Sequence, residues 1–475
     1  MSSSAAEPKI KYVSLDRSQL QWAAFDLDSL IDQQHPARMI WQLTEKFDLK
    51  RFEEHVKTRQ GEAGRSCWSA QLLVSVWVYA YSLGVASARA IERMMSHEPG
   101  FRWLTADQVI NHHTVSDFRV GQEQAVKELF AQMLTVLETA GLVDLTTLLH
   151  DGTKVKSVAG RASLHRRKTV EKRLREARRV VRKLETAAQD EAVDERRRAA
   201  QERAAREGLQ RAEAALAKLR KLDAAAKPEQ RDEQRVSVSE PDARKMKQPE
   251  GGWALSYNVQ VTTEAQSRMI VAVGISTEAN DTRELMPALE RVQENCGKLP
   301  ERVIADNGYA TRSNVERTTE EGVELIAPWK EDASREAGAC ARNRIDPAYA
   351  PSVFHPQRGG RRLTCPAGKT LVIVQQKMHH ELLHNVFEAS ASDCGRCRHR
   401  QQCCGKSGAP RQISRVAESA AMKQYRRRMK QPEVKQLYAK RSEIAEFPHM
   451  WAKAVKRWRR FSVRGVVKAG WKRRG

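Results

Sequence analysis

Two aspartates, Asp151 and Asp306, are the residues of this chain whose surroundings most directly suggest chemistry. Each follows an apolar run, LVDLTTLLHD at 142–151 and ERVIAD at 301–306, and a glycine follows each within two residues. Taken singly, Asp before Gly or before Asn-Gly is ordinary turn chemistry after a strand. Two such strands lying side by side would bring both carboxylates to one place. Paired carboxylates repel each other. Divalent cations keep them ionised, and a carboxylate pair holding two Mg²⁺ about 3.5–4 Å apart suits in-line attack at a phosphodiester.

The elements that must position these acids follow from patterning. WALSYNVQVTTEAQSRMIVAVGIS, from Trp253, is two apolar runs around a polar turn, an antiparallel hairpin. TRELMPALERVQENCGKLP places Leu285, Leu289 and Val292 on one helical side and ends in Gly and Pro. The order is strand with Asp151, two hairpin strands, a helix, and a strand with Asp306, which predicts an α/β core. Between Gly160 and Lys227 the composition changes. Val170, Leu174, Ala177, Val181 and Leu184 recur at steps of four and three, and Leu209, Ala212, Leu216 and Leu219 repeat the pattern, so a helical hairpin is expected. Its arginines either contact DNA, form a dimer contact, or make a solvated face.

The charge balance narrows the partners. Lys and Arg number 83 against 59 Asp and Glu, a net charge of +24, which favours a polyanion and above all nucleic acid. The first thirty residues lack the apolar run of a secretory signal, and a cytoplasmic, nucleoid-associated protein is expected. Ser66 to Ala88 holds no charged residue, but Gln71, five serines and a glycine interrupt it, so it reads as a buried helix with no membrane role. Asn111, His112, His113, Thr114 and Ser116 precede Phe118 and Arg119 in a run of short helices. They either present a helix N-terminus to DNA or serve as a plain cap.

Eight cysteines are present. Cys365, then Cys394 and Cys397 in CGRC, then Cys403 or Cys404, have spacing suited to tetrahedral thiolate coordination of a structural Zn²⁺, with free thiols as the alternative.

Beyond these readings the chain resembles the DDE transposases of bacterial insertion sequences. FRWLTADQVINHHTVSDFR is similar to their N-terminal domain, HDGTKVKS to their first acidic motif, GGWALSYNVQ and IVAVGISTEANDTREL to the intervening strands, VIADNGYAT to their second acidic motif, and TCPAGKT to a cysteine cluster of related members. The resemblance implies an RNase H-like α/β catalytic core. It implies Asp151, Asp306 and a C-terminal glutamate as catalytic ligands of Mg²⁺ or Mn²⁺. The third motif, Tyr, two residues, Arg, three residues, Glu, six residues, Lys, is approached by YAKRSEIAEFPHMWAKAVKRW. Tyr438 and Arg441 fit its opening and Glu446 to Lys453 its closing gap, but four residues separate Arg441 from Glu446, which leaves Glu443 as a rival. In a continuous helix the seven-residue step from Glu446 turns about 700°, putting Lys453 within about 20° of it, although Pro448 weakens that geometry.

The implied activity is metal-dependent cleavage at insertion-sequence ends and strand transfer into target DNA, with a DNA-binding regulator derived from a transposase as the alternative. Lys154, Lys156, Tyr438, Arg441 and Lys453 would contact double-stranded DNA, and Tyr309 would stack on a base or pack. A homodimer is expected because two ends must meet. The expected organisation is a helical, DNA-binding region at 1–140, the first core strand at 141–160, a basic helical hairpin and linker at 161–250, the rest of the core at 251–330, a cysteine-rich insertion at 331–415, and a basic helical region carrying the third acid at 416–475.

Overall fold

The computed structural model describes residues 26–54, 67–120, 122–186, 195–329, 333–357, 359–379, 382–405, 409–456, 458–461 and 464–465. Residues 1–25 of the stretch read for a secretory signal, and residues 187–194 of the segment expected to form a helical hairpin, lie outside the described residues. The chain separates into two compact units at Ala125/Val126. Its architecture is mixed α/β, with a helical N-terminal region and sheets in the second unit.

The first unit contains α1 (Pro36–Glu45), α2 (Lys50–Glu53), α3 (Ala70–Ser82), α4 (Ala88–Met94), α5 (Pro99–Leu104) and α6 (His112–Val120). Side chains start these helices: Ser69, Ser87 and Glu98 accept from the amides of Leu72, Ala90 and Phe101. Nine of the 13 residues of α3 are buried, and the helix ends at Leu83 before Gly84, whose φ of 76° suits glycine. This is the uncharged segment that follows Ser66, itself outside the described residues. Its apolar surface is spent on a core with Ile91, Met95, Phe101, Ile110 and Val115. No described helix is long and apolar enough to cross a membrane.

The second unit begins with α7 (Glu123–Thr139), which starts at the division and packs Phe130, Leu134 and Leu137 beside β1 (Thr147–Lys156). A short strand pair, β2 (Leu164–His165) and β3 (Val236–Ser237), brackets the helices α8 (Arg167–Thr186) and α9 (Glu195–Ala225). Val170 and Leu174 of α8 pack with Ala212, Ala215, Leu216 and Leu219 of α9, following the apolar period of the sequence. Then come β4 (Arg244–Lys247), β5 (Trp253–Glu264), β6 (Ile270–Ser276), α10 (Leu285–Cys296), β7 (Arg302–Ala305), α11 (Arg312–Glu320) and β8 (Glu324–Ile326).

The main sheet runs β4-β5-β1-β7-β8, with β6 also on β5. β1 is antiparallel to β5 and parallel to β7, and β7 is parallel to β8. Adjacent residues alternate between its faces. Val303, Ala305 and Leu325 meet α10, α11, Met422 and Tyr425, whereas Leu149, Ile304 and Ile326 meet Val434 and Ala445.

The cysteine-bearing lobe holds α12 (Ala333–Arg342), a five-stranded antiparallel sheet of β9 (His355–Pro356), β10 (Arg362–Thr364), β11 (Thr370–His379), β12 (Leu382–Ala389) and β13 (Gln412–Val416), and the short helices α13 (Ala391–Gly395) and α14 (Arg400–Cys404). The chain returns to the main sheet through α15 (Ala420–Arg428), α16 (Pro432–Ala439), α17 (Arg441–Met450) and a π-helical turn at Trp451–Val455.

Candidate active site

Asp151 lies in the middle of its strand, not at its end. β1 continues to Lys156 because β5 pairs with it throughout, Asp151 opposite Val261 and Lys156 opposite Ser256. The strand that stops is β7. Its last register pair with β1 is Ala305 with His150, so Asp306 and Asp151 are the next residues of two parallel strands. Asp306 then turns the chain: its Oδ1 accepts from the Gly308 amide at 2.7 Å, and its carbonyl from the Tyr309 amide at 3.2 Å. From Asp151 onward one edge of β1 is therefore released by β7, at the carboxyl ends of the parallel strands where α/β sheets form their clefts. At the far end of that edge the tail takes over, Phe461 donating its amide to the Lys156 carbonyl at 2.9 Å.

Asp151 is 18% exposed and meets α17. Arg441 Nη2 lies 3.2 Å from its Oδ1, and the Gly152 amide donates to the same oxygen at 2.9 Å. Burial pushes the Asp151 carboxyl up to about 6. Arg441 and the Gly152 amide oppose that rise, while the charges of Asp306 and Asp281 add to it. His449 Nε2 stands 3.8 Å from Oδ2. Burial pushes this imidazole down to about 4, so at neutral pH it is a neutral neighbour rather than an ion-pair partner.

Beneath the aspartates lies a buried polar network. Gln260 Oε1 accepts from Tyr309 Oη at 2.6 Å and from His150 Nε2 at 2.8 Å; His150 Nδ1 then accepts from Thr262 Oγ1 at 2.9 Å. Gln260 Nε2 and Asn258 Nδ2 both donate to Asp281 Oδ1, at 2.8 and 2.7 Å. Burial drives His150 down to about 3 and raises Tyr309 well above a normal phenol. Tyr309 is fully buried and packs rather than presenting its ring to a base. The glycine of the HDG motif has a different cause from turn chemistry: a Cβ at Gly152 would lie 2.4 Å from Gln260 Nε2 and 2.7 Å from Asp281 Oδ1.

The remaining candidates divide. Lys154 Nζ lies 3.4 Å from Asp281 Oδ2, Lys453 Nζ donates to Thr153 Oγ1 at 2.5 Å, and Lys156 is 4.0 Å from Glu250 on the more exposed flank. Tyr438 packs beside Leu149 and Ile304. Glu446 and Glu443 are exposed on α17, and no hydrogen bond or ion pair joins either to another described residue. The α-helical phase expected between Glu446 and Lys453 does not hold, because Pro448 lies inside α17 and a π turn follows it. Asp281, His449, Asn258 and Gln260 are site residues that spacing did not reveal. Asp281 sits in a loop and His449 beside a proline, so neither carries a periodic signal.

Asp151 and Asp306 offer carboxylate oxygen, the donor type of Mg²⁺ or Mn²⁺, and fit such an ion in chemistry. Among the described residues no three His, Cys, Asp or Glu side chains form a group that could hold a metal ion. The same holds for the described cysteines of the cysteine-bearing lobe. There Cys365, Cys394, Cys397, Cys403 and Cys404 line one cavity of about 30 Å³. No disulfide joins any of them. The Lys369 amide donates to Cys365 Sγ at 3.3 Å and the Arg411 amide to Cys394 Sγ at 3.5 Å. Burial pushes Cys403 up to about 12, opposed by Arg411 and reinforced by Cys404, Cys394 and Cys365.

In the helical unit, Asn111 acts as a cap, its Oδ1 accepting from the His113 amide at 2.8 Å. Glu92 holds His112 through the backbone amide at 3.1 Å and Nδ1 at 2.8 Å. Phe118 stacks on Phe52, and the Arg119 guanidinium lies 4.5 Å from the Trp77 ring centre. His113 and Thr114 are exposed.

Two family models match the chain, one on each side of the segments that carry Asp151 and Asp306. Residues 25–121 match a family model described as Transposase domain (DUF772), and residues 364–472 match one described as Transposase DDE domain. These are transposase domains, and they indicate a function in transposition. The matches are those of a DDE transposase of an insertion sequence, the family that the motifs resemble. No curated protein and no solved structure matches the chain.

Proposed function

We propose that this protein cuts DNA at the ends of an insertion sequence and joins the freed strand to target DNA, using the Asp151–Asp306 cleft as its active site. The observation that carries the reading is the register of β1 and β7, which sets two carboxylates side by side at an open strand edge. An RNase H-like core is supported by the strand order β6-β5-β1-β7-β8, three antiparallel strands followed by two parallel ones. Asp151 and Asp306 would hold the metal, with Glu446 of α17 as the third acid and Glu443 as its rival. Bound there, Mg²⁺ or Mn²⁺ would neutralise phosphate charge and favour ionisation of the attacking water or 3′-hydroxyl.

The chain's own groups do the rest. Arg441 holds Asp151 in place and offers a planar cation to a phosphate. Lys154, Lys156 and Lys453 line the same strand and would neutralise the backbone of double-stranded DNA without reading sequence. The exposed His113 and Thr114 at the start of α6 are a proposed DNA contact of the helical unit. The cysteine lobe is proposed to bind a structural Zn²⁺, supported by the two amide-to-sulfur bonds and the shared cavity. A homodimer is proposed because two ends must be brought together.

The test is Mg²⁺-dependent cleavage and strand transfer on the element's own ends, comparing wild type with D151A, D306A, E446A and E443A. Loss of chemistry with retained DNA binding in the first three supports the reading. A dead E443A beside an active E446A moves the third acid to Glu443. A wild type that binds ends and never cuts them defeats the catalytic reading in favour of a regulator.

A further inference from the structure

Asp281 has no place in the three-acid scheme, yet it is one of the most constrained carboxylates near the cleft. Its side chain is 20% exposed, and its Oδ1 receives both the Asn258 and the Gln260 side-chain amides. Two donors on one oxygen fix the orientation of the carboxylate, which turns Oδ2 toward Lys154 Nζ, 3.4 Å away and 18% exposed. The chain makes room for this contact at a definite cost in side chains, since any Cβ at Gly152 would strike Asp281 Oδ1 at 2.7 Å.

We propose that Asp281 is a positioning residue that holds the Lys154 ammonium group, on the face of β1 opposite Asp151, along the stretch that β7 leaves open beyond the Asp151–Asp306 pair, ready for a DNA phosphate. The proposal rests on the catalytic reading of that pair. The same hydrogen bonds argue against Asp281 as a metal ligand: Oδ1 already accepts two amides and Oδ2 faces a cation, whereas the Asp306 carboxylate accepts from the Gly308 amide through Oδ1. Lysine is a flexible, strongly hydrated point charge, and leaving it free would mean ordering its side chain at the moment DNA binds. Pinned by Asp281, it is ordered beforehand, and a preorganised cation stabilises developing phosphate charge better than a mobile one. The network continues from Asp281 through Gln260 to His150 and Tyr309, so Lys154 is registered against the same floor that underlies the aspartates.

The variant that tests this is D281N. Asparagine keeps an Oδ1 acceptor for the two amides and replaces the oxygen facing Lys154 with an amide donor. The first readout is acetylation of lysines in the whole protein, followed by mass spectrometry with Lys156 as internal reference. The expected result is a severalfold rise in Lys154 acetylation relative to Lys156 in D281N; an unchanged ratio overturns the proposal. If D281N fails to fold, Asn258→Ser, which removes one of the two donors, is read in the same way. The second readout is end cleavage. D281N should slow it by about 10- to 100-fold, and the D281N/K154A double variant should be no slower than K154A. Multiplying losses would mean that Asp281 acts independently of Lys154 and would also overturn it. If the wild type cuts nothing, the catalytic reading fails, and the acetylation ratio still decides whether Asp281 positions Lys154.

Discussion

Arg441 reaches across from α17 to place its guanidinium 3.2 Å from Asp151 Oδ1, with side-chain exposures of only 14% and 18%. Breaking one partner out of a buried pair costs about 3–5 kcal/mol when the other charge is stranded. Asp151 has an escape, because burial already lifts its carboxyl to about 6 and it can take up a proton. R441A is therefore expected to lose a smaller amount, about 1–3 kcal/mol, in urea unfolding, and D151N/R441A should recover part of it. An R441A variant as stable as wild type would remove Arg441 from the structural account of the site.

Gly152 supplies a second prediction. The Cβ of G152A would overlap Gln260 and Asp281, both held in the polar network, so the expected loss is about 1–3 kcal/mol. Gly160 is the matched control on the same segment, because a Cβ there meets nothing within 4 Å. G160A should stay within about 0.5 kcal/mol of wild type. Equal effects of the two substitutions would count against the close approach as the reason for the motif's glycine.

The contrast between these residues shows what was legible in advance. The hairpin β5–β6, the helix α10 and the paired helices α8 and α9 could be read because their apolar residues repeat at the period of the element. That β1 and β7 lie side by side, with Asp151 and Asp306 next after their last register pair, could be read because each acid follows an apolar run. The end of β1 could not, since only the partner strand decides where a strand stops: β5 carries β1 on to Lys156, and β7 leaves it at His150. Asp281 and His449 were illegible for a related reason. Both reach the site through tertiary folding of a loop and a proline-bearing helix, and no local spacing announces such contacts.

A pH prediction concerns Glu92 in the helical unit. The His112 backbone amide, with its ring nitrogen beside it, holds the Glu92 carboxyl below the usual glutamate value. A depressed carboxyl stabilises the fold above its unfolded value and loses that contribution as pH falls through the folded one. The Tm of wild type should therefore exceed that of E92Q near neutrality, and the gap should close as pH is lowered below about 4.5. A gap that stays constant to pH 3 would show that Glu92 acts through shape and not through charge.

The cysteine lobe gives the last prediction, which the main sheet makes easy to read because the two have separate cores. Closing Cys365, Cys394, Cys397 and Cys403 on Zn²⁺ requires their deprotonation, and burial resists this at Cys403, where the thiol is pushed up to about 12. Zinc itself would supply the opposing drive, so binding should release protons and couple to folding of the lobe alone. Zinc chelation is expected to expose β9–β13 to protease while leaving β1, β5 and β7 protected, and C394S should reproduce that pattern without chelator. If protein purified with zinc contains no metal by mass spectrometry, and chelation leaves the cleavage pattern between residues 333 and 411 unchanged, the thiols are packing groups. Their two amide-to-sulfur bonds then serve only to shape the turns that carry them.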